Sequence, residues 1–170
     1  MKKNYSFVIA NRFALFIFFV WVFSACTKSP PEDKDLGLYD IDVKLQPENV
    51  KDHGFGGFGF VKFRQNPDTA RIITLDTWVF ALKPNHAYLL QRAANPIADI
   101  TCTNTAWLTL GKGLVPQSIE TDSKGNGQEN LFRDITGVAR GMTFHIAFQI
   151  VDAETLTTVL SSDCYQYTVR

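Results

Sequence analysis

Two stretches of this chain alternate apolar and polar residues with a period of two, and they hold that period long enough to exclude a helix. In residues 38–46, Tyr39, Ile41, Val43 and Leu45 take one side, while Asp40, Asp42, Lys44 and Gln46 take the other. In residues 143–152, Phe144, Ile146, Phe148 and Ile150 fall on one side, opposite His145 and Gln149. Successive side chains of a strand point to opposite faces, so such segments bury one face only. Shorter apolar and β-branched runs fill the chain between and after them, at 58–65, 71–82, 87–93, 106–110, 118–121, 129–135, 156–161 and 164–169. Turn residues punctuate these runs: Asn66-Pro67-Asp68, Lys83-Pro84-Asn85 and Asp122-Ser123-Lys124-Gly125-Asn126-Gly127. Residues 87–95 are the main stretch that a helix competes for, and they are too short to insist on one. The pattern predicts an all-β fold, an antiparallel two-sheet sandwich of about seven to nine strands over 38–170.

The first residues have a different logic. Met1-Lys2-Lys3-Asn4 is a basic start, and an apolar run follows through Phe23, uninterrupted after Arg12. That run is shorter than the roughly 20 residues a spanning helix needs. Basic start, apolar run and small residues at Ser24-Ala25 make the layout of a secretory signal. Phe23-Ser24-Ala25-Cys26 resembles a lipobox, the cleavage site of bacterial lipoproteins. The resemblance implies a signal peptide over 1–25 and a lipid-modified Cys26 that holds the protein to a membrane. Residues 26–37 are polar and contain Pro30-Pro31, which predicts a flexible tether. Thr27 follows the cysteine, a choice similar to that of outer-membrane lipoproteins. The expected location is therefore the cell envelope, on a lipid anchor.

Charge and cysteine usage fit that expectation. The chain has 17 basic and 17 acidic residues. Removing Lys2, Lys3 and Arg12 with the leader leaves fourteen against seventeen, a balance of −3. No dense Lys/Arg cluster offers a nucleic-acid footprint. With Cys26 lipidated, Cys102 and Cys164 remain, and an exported compartment allows them to pair. The alternative is two unpaired thiols. A bond would close a loop of about sixty residues and add roughly 4 kcal/mol on the chain-entropy account.

One piece of the domain looks familiar. Leu82-Lys83-Pro84-Asn85-His86-Ala87-Tyr88-Leu89-Leu90, followed by Asp122-Ser123-Lys124-Gly125-Asn126-Gly127, is similar to a corner-and-turn pattern of immunoglobulin-like and superoxide-dismutase-like sandwiches in exported bacterial proteins. The resemblance implies a sandwich in which Tyr88 anchors a returning strand, and it implies no activity.

Motifs for chemistry are sparse. Gly54-Phe55-Gly56-Gly57-Phe58-Gly59 spells a dinucleotide fingerprint, but a strand follows where a helix N-terminus must bind the pyrophosphate. Its aromatics, Phe55 and Phe58, are instead candidate partner contacts on a glycine-rich loop. His53, His86 and His145 form no local chelating pair, so no metal and no cofactor is expected. Asp122 to Gly127 departs from a calcium loop by placing Lys124 where an oxygen ligand belongs. Ser161, Ser162 and Asp163 lack a nucleophile elbow, and Asp40 and Asp42 read as solvated charges. Trp78, Trp107, Tyr165 and Tyr167 are expected to pack in the core, or to stack on sugars where exposed. The sequence thus predicts a non-enzymatic binding module for an envelope protein or glycan partner. The rivals are a structural subunit of an envelope assembly and, less favoured, a hydrolase or metal-binding protein.

Overall fold

The computed structural model describes residues 40–47, 56–67 and 70–170. Among them the chain forms no helix and twelve strands: β1 Asp40–Gln46, β2 Phe58–Gln65, β3 Ile72–Phe80, β4 Ala87–Pro96, β5 Leu108–Thr109, β6 Gly111–Lys112, β7 Val115–Pro116, β8 Ser118–Glu120, β9 Gly127–Asp134, β10 Thr143–Asp152, β11 Thr158–Ser162 and β12 Tyr165–Thr168. The alternation works as its period dictates. Val43 and Leu45 of β1, and Ile146, Phe148 and Ile150 of β10, are buried in one core. The helix competitor at 87–95 is strand β4, paired antiparallel with β10 from Tyr88 to Pro96. Its Tyr88 and Leu90 point to the core as a period of two requires.

The all-β, largely antiparallel expectation holds, but the strands do not divide into two separate sheets. They form one network in the order β5-β4-β10-β11-β1-β2-β3-β9-β6-β7, with β12 also on β10 and β8 also on β4. The reason lies at the corners. β1 reaches β11 only through Leu45 and Gln46, opposite Ser162 and Ser161. On the other side, the chain leaves β4 after Leu110, whose N donates to Leu90 O, and β6 meets β9 at Lys112 in a short parallel contact. These corners join two longer-paired halves, β1-β2-β3-β9 and β4-β10 with β11 and β12. Gly111-Lys112-Gly113 is where one of the corners is made. The sheet therefore wraps into a nearly closed barrel around one core.

That core bridges the halves. The Phe63 ring of β2 meets Phe148 of β10 at 6.0 Å and Tyr167 of β12 at 4.7 Å, both edge to face. Each large apolar side chain removed from water contributes about 1.5–3 kcal/mol. Gln65 is a polar member of this core, at 1% exposure. Its Oε1 accepts from Tyr167 Oη at 2.6 Å and from Arg170 N at 2.8 Å, so both lone pairs are used. Burial pushes the Tyr167 hydroxyl well above its ordinary pKa, so it stays a donor.

The two segments of the corner pattern pack on each other. Lys83 N donates to Tyr88 Oη at 3.0 Å, which ties the returning strand to the corner. Leu82 N donates to Gly125 O at 3.0 Å, and Asn85 N to Asp122 O at 3.1 Å. Gly125 has φ 78°, and a Cβ there would stand 2.0 Å from Leu82 O. Only glycine fits that approach.

Candidate functional site

The outward side of β2 and β3 is aromatic. Val61 and Phe63 on β2, with Leu75 and Val79 on β3, take the inward positions. Alternation then forces Phe58, Phe60, Trp78 and Phe80 outward. The register sets Phe58 opposite Phe80, Phe60 opposite Trp78 and Lys62 opposite Asp76. Phe58 and Phe80 stack with centroids 4.9 Å apart. Phe60 stands edge-on to both, at 5.7 and 6.5 Å. Lys62 Nζ lies 5.6 Å from the Trp78 ring centre, a cation–π contact. Phe58 is 44% exposed and Phe60 39%. These residues line an open groove of about 390 Å³. Polar side chains extend the same rows. Lys44 of β1 lies opposite Phe60, Gln128 of β9 opposite Trp78, and Asn130 of β9 opposite Asp76. Gly59 keeps the strands close here, because a Cβ on it would come 2.9 Å from Trp78 O.

Phe58, expected as a contact residue on a loop, instead opens strand β2 within this face. Phe55 lies outside the described residues, as do Cys26 and His53. Trp78 departs from the expectation of core packing, because Thr77 and Val79 hold the inward positions on either side of it. Trp78-Val79-Phe80 is apolar on both faces, so the sequence carries no period that reveals which side is wet. Tyr167 is fully buried as expected, and Tyr165 packs partly against the core.

The outward side of β4 and β10 is the reverse. Asn95 lies opposite His145, and Gln91 opposite Gln149. Asn95, His145 and Gln149 are buried, at 2%, 8% and 8% exposure. Gln149 Nε2 donates to Gln91 Oε1 at 2.7 Å, Gln91 Nε2 to Thr109 Oγ1 at 3.1 Å, and Thr158 Oγ1 to Gln149 Oε1 at 3.0 Å. The loop 97–107 is tied down at this end. Cys102 and Cys164 form a disulfide, with Cα atoms 5.7 Å apart, and Cys164 immediately precedes β12. Asn104 N donates to Asn95 Oδ1 at 2.7 Å, and Asn104 Nδ2 to Ala94 O at 2.7 Å. Within the loop, hydrogen bonds from Thr103 and then Thr101 hold the Asp99 carboxyl below its ordinary pKa. Asn95 Nδ2 and His145 Nδ1 are buried without a partner.

His86 starts the same strand pair at its opposite end. Its Nε2 lies 2.7 Å from Asp152 Oδ2. Asp152 Oδ1 accepts from Glu154 N and Thr155 N at 2.9 and 3.1 Å. Burial raises the Asp152 pKa, but the bonds from Thr155, His86 and Glu154 outweigh it and set the carboxyl at about 2. Ligand atoms of His86, Asp152 and Glu154 lie within 4.8 Å of one another, a set that can hold a cation and that no local spacing reveals. His145 lies opposite Asn95, nine residues along β4 from His86 and so roughly 30 Å away, and these two histidines do not meet. The other residues singled out for chemistry are engaged structurally. Ser162 Oγ accepts from Phe148 N and donates to Asp163 O. Asp42 pairs with Arg64 at 2.5 Å, and Asp40 Oδ1 accepts from Gln65 N.

The fold and its faces define an all-β barrel with an aromatic outer groove. The chain matches no protein-family model, no curated protein and no solved structure.

Proposed function

We propose that this protein is a lipid-anchored envelope module, held through Cys26, that uses its β2–β3 face to bind a glycan without transforming it. The observation that carries the reading is the groove of Phe58, Phe60, Trp78 and Phe80, bordered in register by Lys62, Asp76, Gln128 and Asn130. Sugar rings bring apolar C–H faces together with hydroxyl edges. Aromatic rings suit the first, and amide, carboxylate and ammonium groups suit the second. A patch of aromatics on an otherwise satisfied strand face gains nothing for the fold by staying open.

Affinity electrophoresis through gels charged with envelope and plant polysaccharides tests the reading. Retardation by at least one polysaccharide, lost in Phe60→Ala and in Trp78→Ala, is the expected result. Retardation unchanged in both variants, or retention only by apolar resin, overturns it. Mass spectrometry of the native protein tests the anchor, with diacylglycerol on Cys26 as the expected result and an unmodified thiol as the contrary one.

A further inference from the structure

One end of the barrel interior holds two arginines where a core holds aliphatic side chains. The inward positions of β4 run Tyr88, Leu90 and then Arg92, which lies opposite Phe148 of β10. The inward positions of β9 run Leu131 and then Arg133, which lies opposite Ile73 of β3. The two come from strands on either side of the β5–β6 corner, and Leu110 of that corner sits between those strands. Arg92 and Arg133 both line a cavity of about 60 Å³ whose other walls include Phe63, Leu75, Leu110 and Phe148.

Neither guanidinium forms an ion pair among the described residues. The Arg92 side chain makes no hydrogen bond among them either. Arg133 Nη1 donates to Gly113 O at 3.3 Å and reaches no carboxylate. The adjacent Asp134 feels the Arg133 charge, but it forms no ion pair with it and lies on the other face of β9, where it accepts from Thr136 N. Arg64 and Arg170 show the contrast. Arg64 pairs with Asp42, and Arg170 Nη2 lies 3.8 Å from Asp40 Oδ2. Burial, and then the charge of Arg133, push the Arg92 guanidinium below its ordinary pKa, which marks the site as unfavourable for a lone cation. A partly desolvated cation with no counter-charge is costly, and an apolar residue of similar volume removes that cost. Two such cations facing one apolar cavity fit a ligand that supplies the missing negative charge.

We infer that this end of the barrel binds a small organic carboxylate, with its carboxylate between Arg92 and Arg133 and a short apolar body in the cavity. A guanidinium donates two parallel N–H groups to a carboxylate, so the pair can clamp both oxygens. The size limits the body. A cavity of about 150 Å³ takes benzene, so one of about 60 Å³ takes roughly two or three carbons. This site lies inside the barrel and does not depend on the outer groove.

Isothermal titration calorimetry of the purified protein with butyrate, butanol, butylamine and inorganic phosphate tests the inference. Saturable butyrate binding at or below about 1 mM is expected for a ligand of about six non-hydrogen atoms. The alcohol, the amine and phosphate are each expected to bind at least ten-fold more weakly, because each lacks either the charge or the body. Arg92→Gln and Arg133→Gln are expected to weaken butyrate at least ten-fold while the unliganded Tm stays level or rises. Equal binding of acid and alcohol, phosphate binding as tight as butyrate, no saturation by 10 mM acid, or variants that bind like the parent would each overturn it. If a variant fails to fold, the ligand series on the parent protein decides alone.

Discussion

On β2 and β3 the outward rows hold Phe58, Phe60, Trp78 and Phe80, and Phe58 and Phe60 stand substantially in water. On β4 and β10 the outward rows hold Gln91, Asn95, His145 and Gln149, and the last three are nearly dry. Residue polarity alone would have reversed the two. The difference is cover. The loop 97–107 is fastened to the β4–β10 side by a disulfide and by Asn104, and its neighbours Thr109 and Thr158 complete the polar ladder. Polar groups tolerate being dry when their hydrogen bonds are made, as those of Gln91 and Gln149 are. The aromatic side carries no such lid among the described residues, and its rings pack only on one another and on Lys62.

The largest test of this contrast removes the fastening. Cys102→Ser with Cys164→Ser is expected to cost about 4 kcal/mol in urea unfolding, from the restored freedom of a 62-residue separation. The same variant is expected to expose the His145 ring, read as faster exchange of its neighbouring amides. Undiminished stability would mean that the cover stands without the bond. Next comes the ladder beneath. Gln149→Leu leaves Gln91 and Thr158 without their partners and is expected to cost about 2 kcal/mol. Adding Gln91→Leu is expected to recover part of that loss, and the double-mutant cycle measures how much. On the bare side, Phe60→Ala is expected to cost under about 1 kcal/mol, the scale of an exposed aromatic pair, while it abolishes polysaccharide retardation. A cost above 2 kcal/mol there would make the aromatic face a structural one.

A further effect is confined to acid. Asp152 has a folded pKa of about 2, below the roughly 3.9 of an unfolded aspartate. Its stabilisation is therefore complete above about pH 4 and is lost as the pH falls toward 2. Asp152→Asn is expected to lack that portion of the acid transition in a Tm-against-pH series. The two proteins would converge at the acid end, and parallel curves across this window would refute the assignment.

Strand positions were readable from the sequence because period-two alternation reports which residues share a side. That is why β1, β2, β10 and β12 fall where the pattern predicts. Closure was not readable, because the corners rest on very short pairings such as Lys112 against Phe132, which leave no periodic mark. Cys102 and Cys164 were legible through parity and compartment. The aromatic groove was only half legible. Phe58 stood out on its glycine-rich approach, whereas Trp78 and Phe80 sat in a run that is apolar on both sides. Arg92 interrupts an inward row, a signal that was present in the sequence but meaningful only once the register with Phe148 was known.

The disulfide has a further consequence for how the molecule comes into being. β1, β2 and β3 follow one another, so the aromatic side can zip up from neighbouring hairpins. The covered side joins β4 to β10 and residue 102 to residue 164, across some sixty positions of chain. Long-range closures of this kind are entropically costly and slow. The groove is therefore assembled early, and sealing of the opposite wall waits for most of the polypeptide to be present.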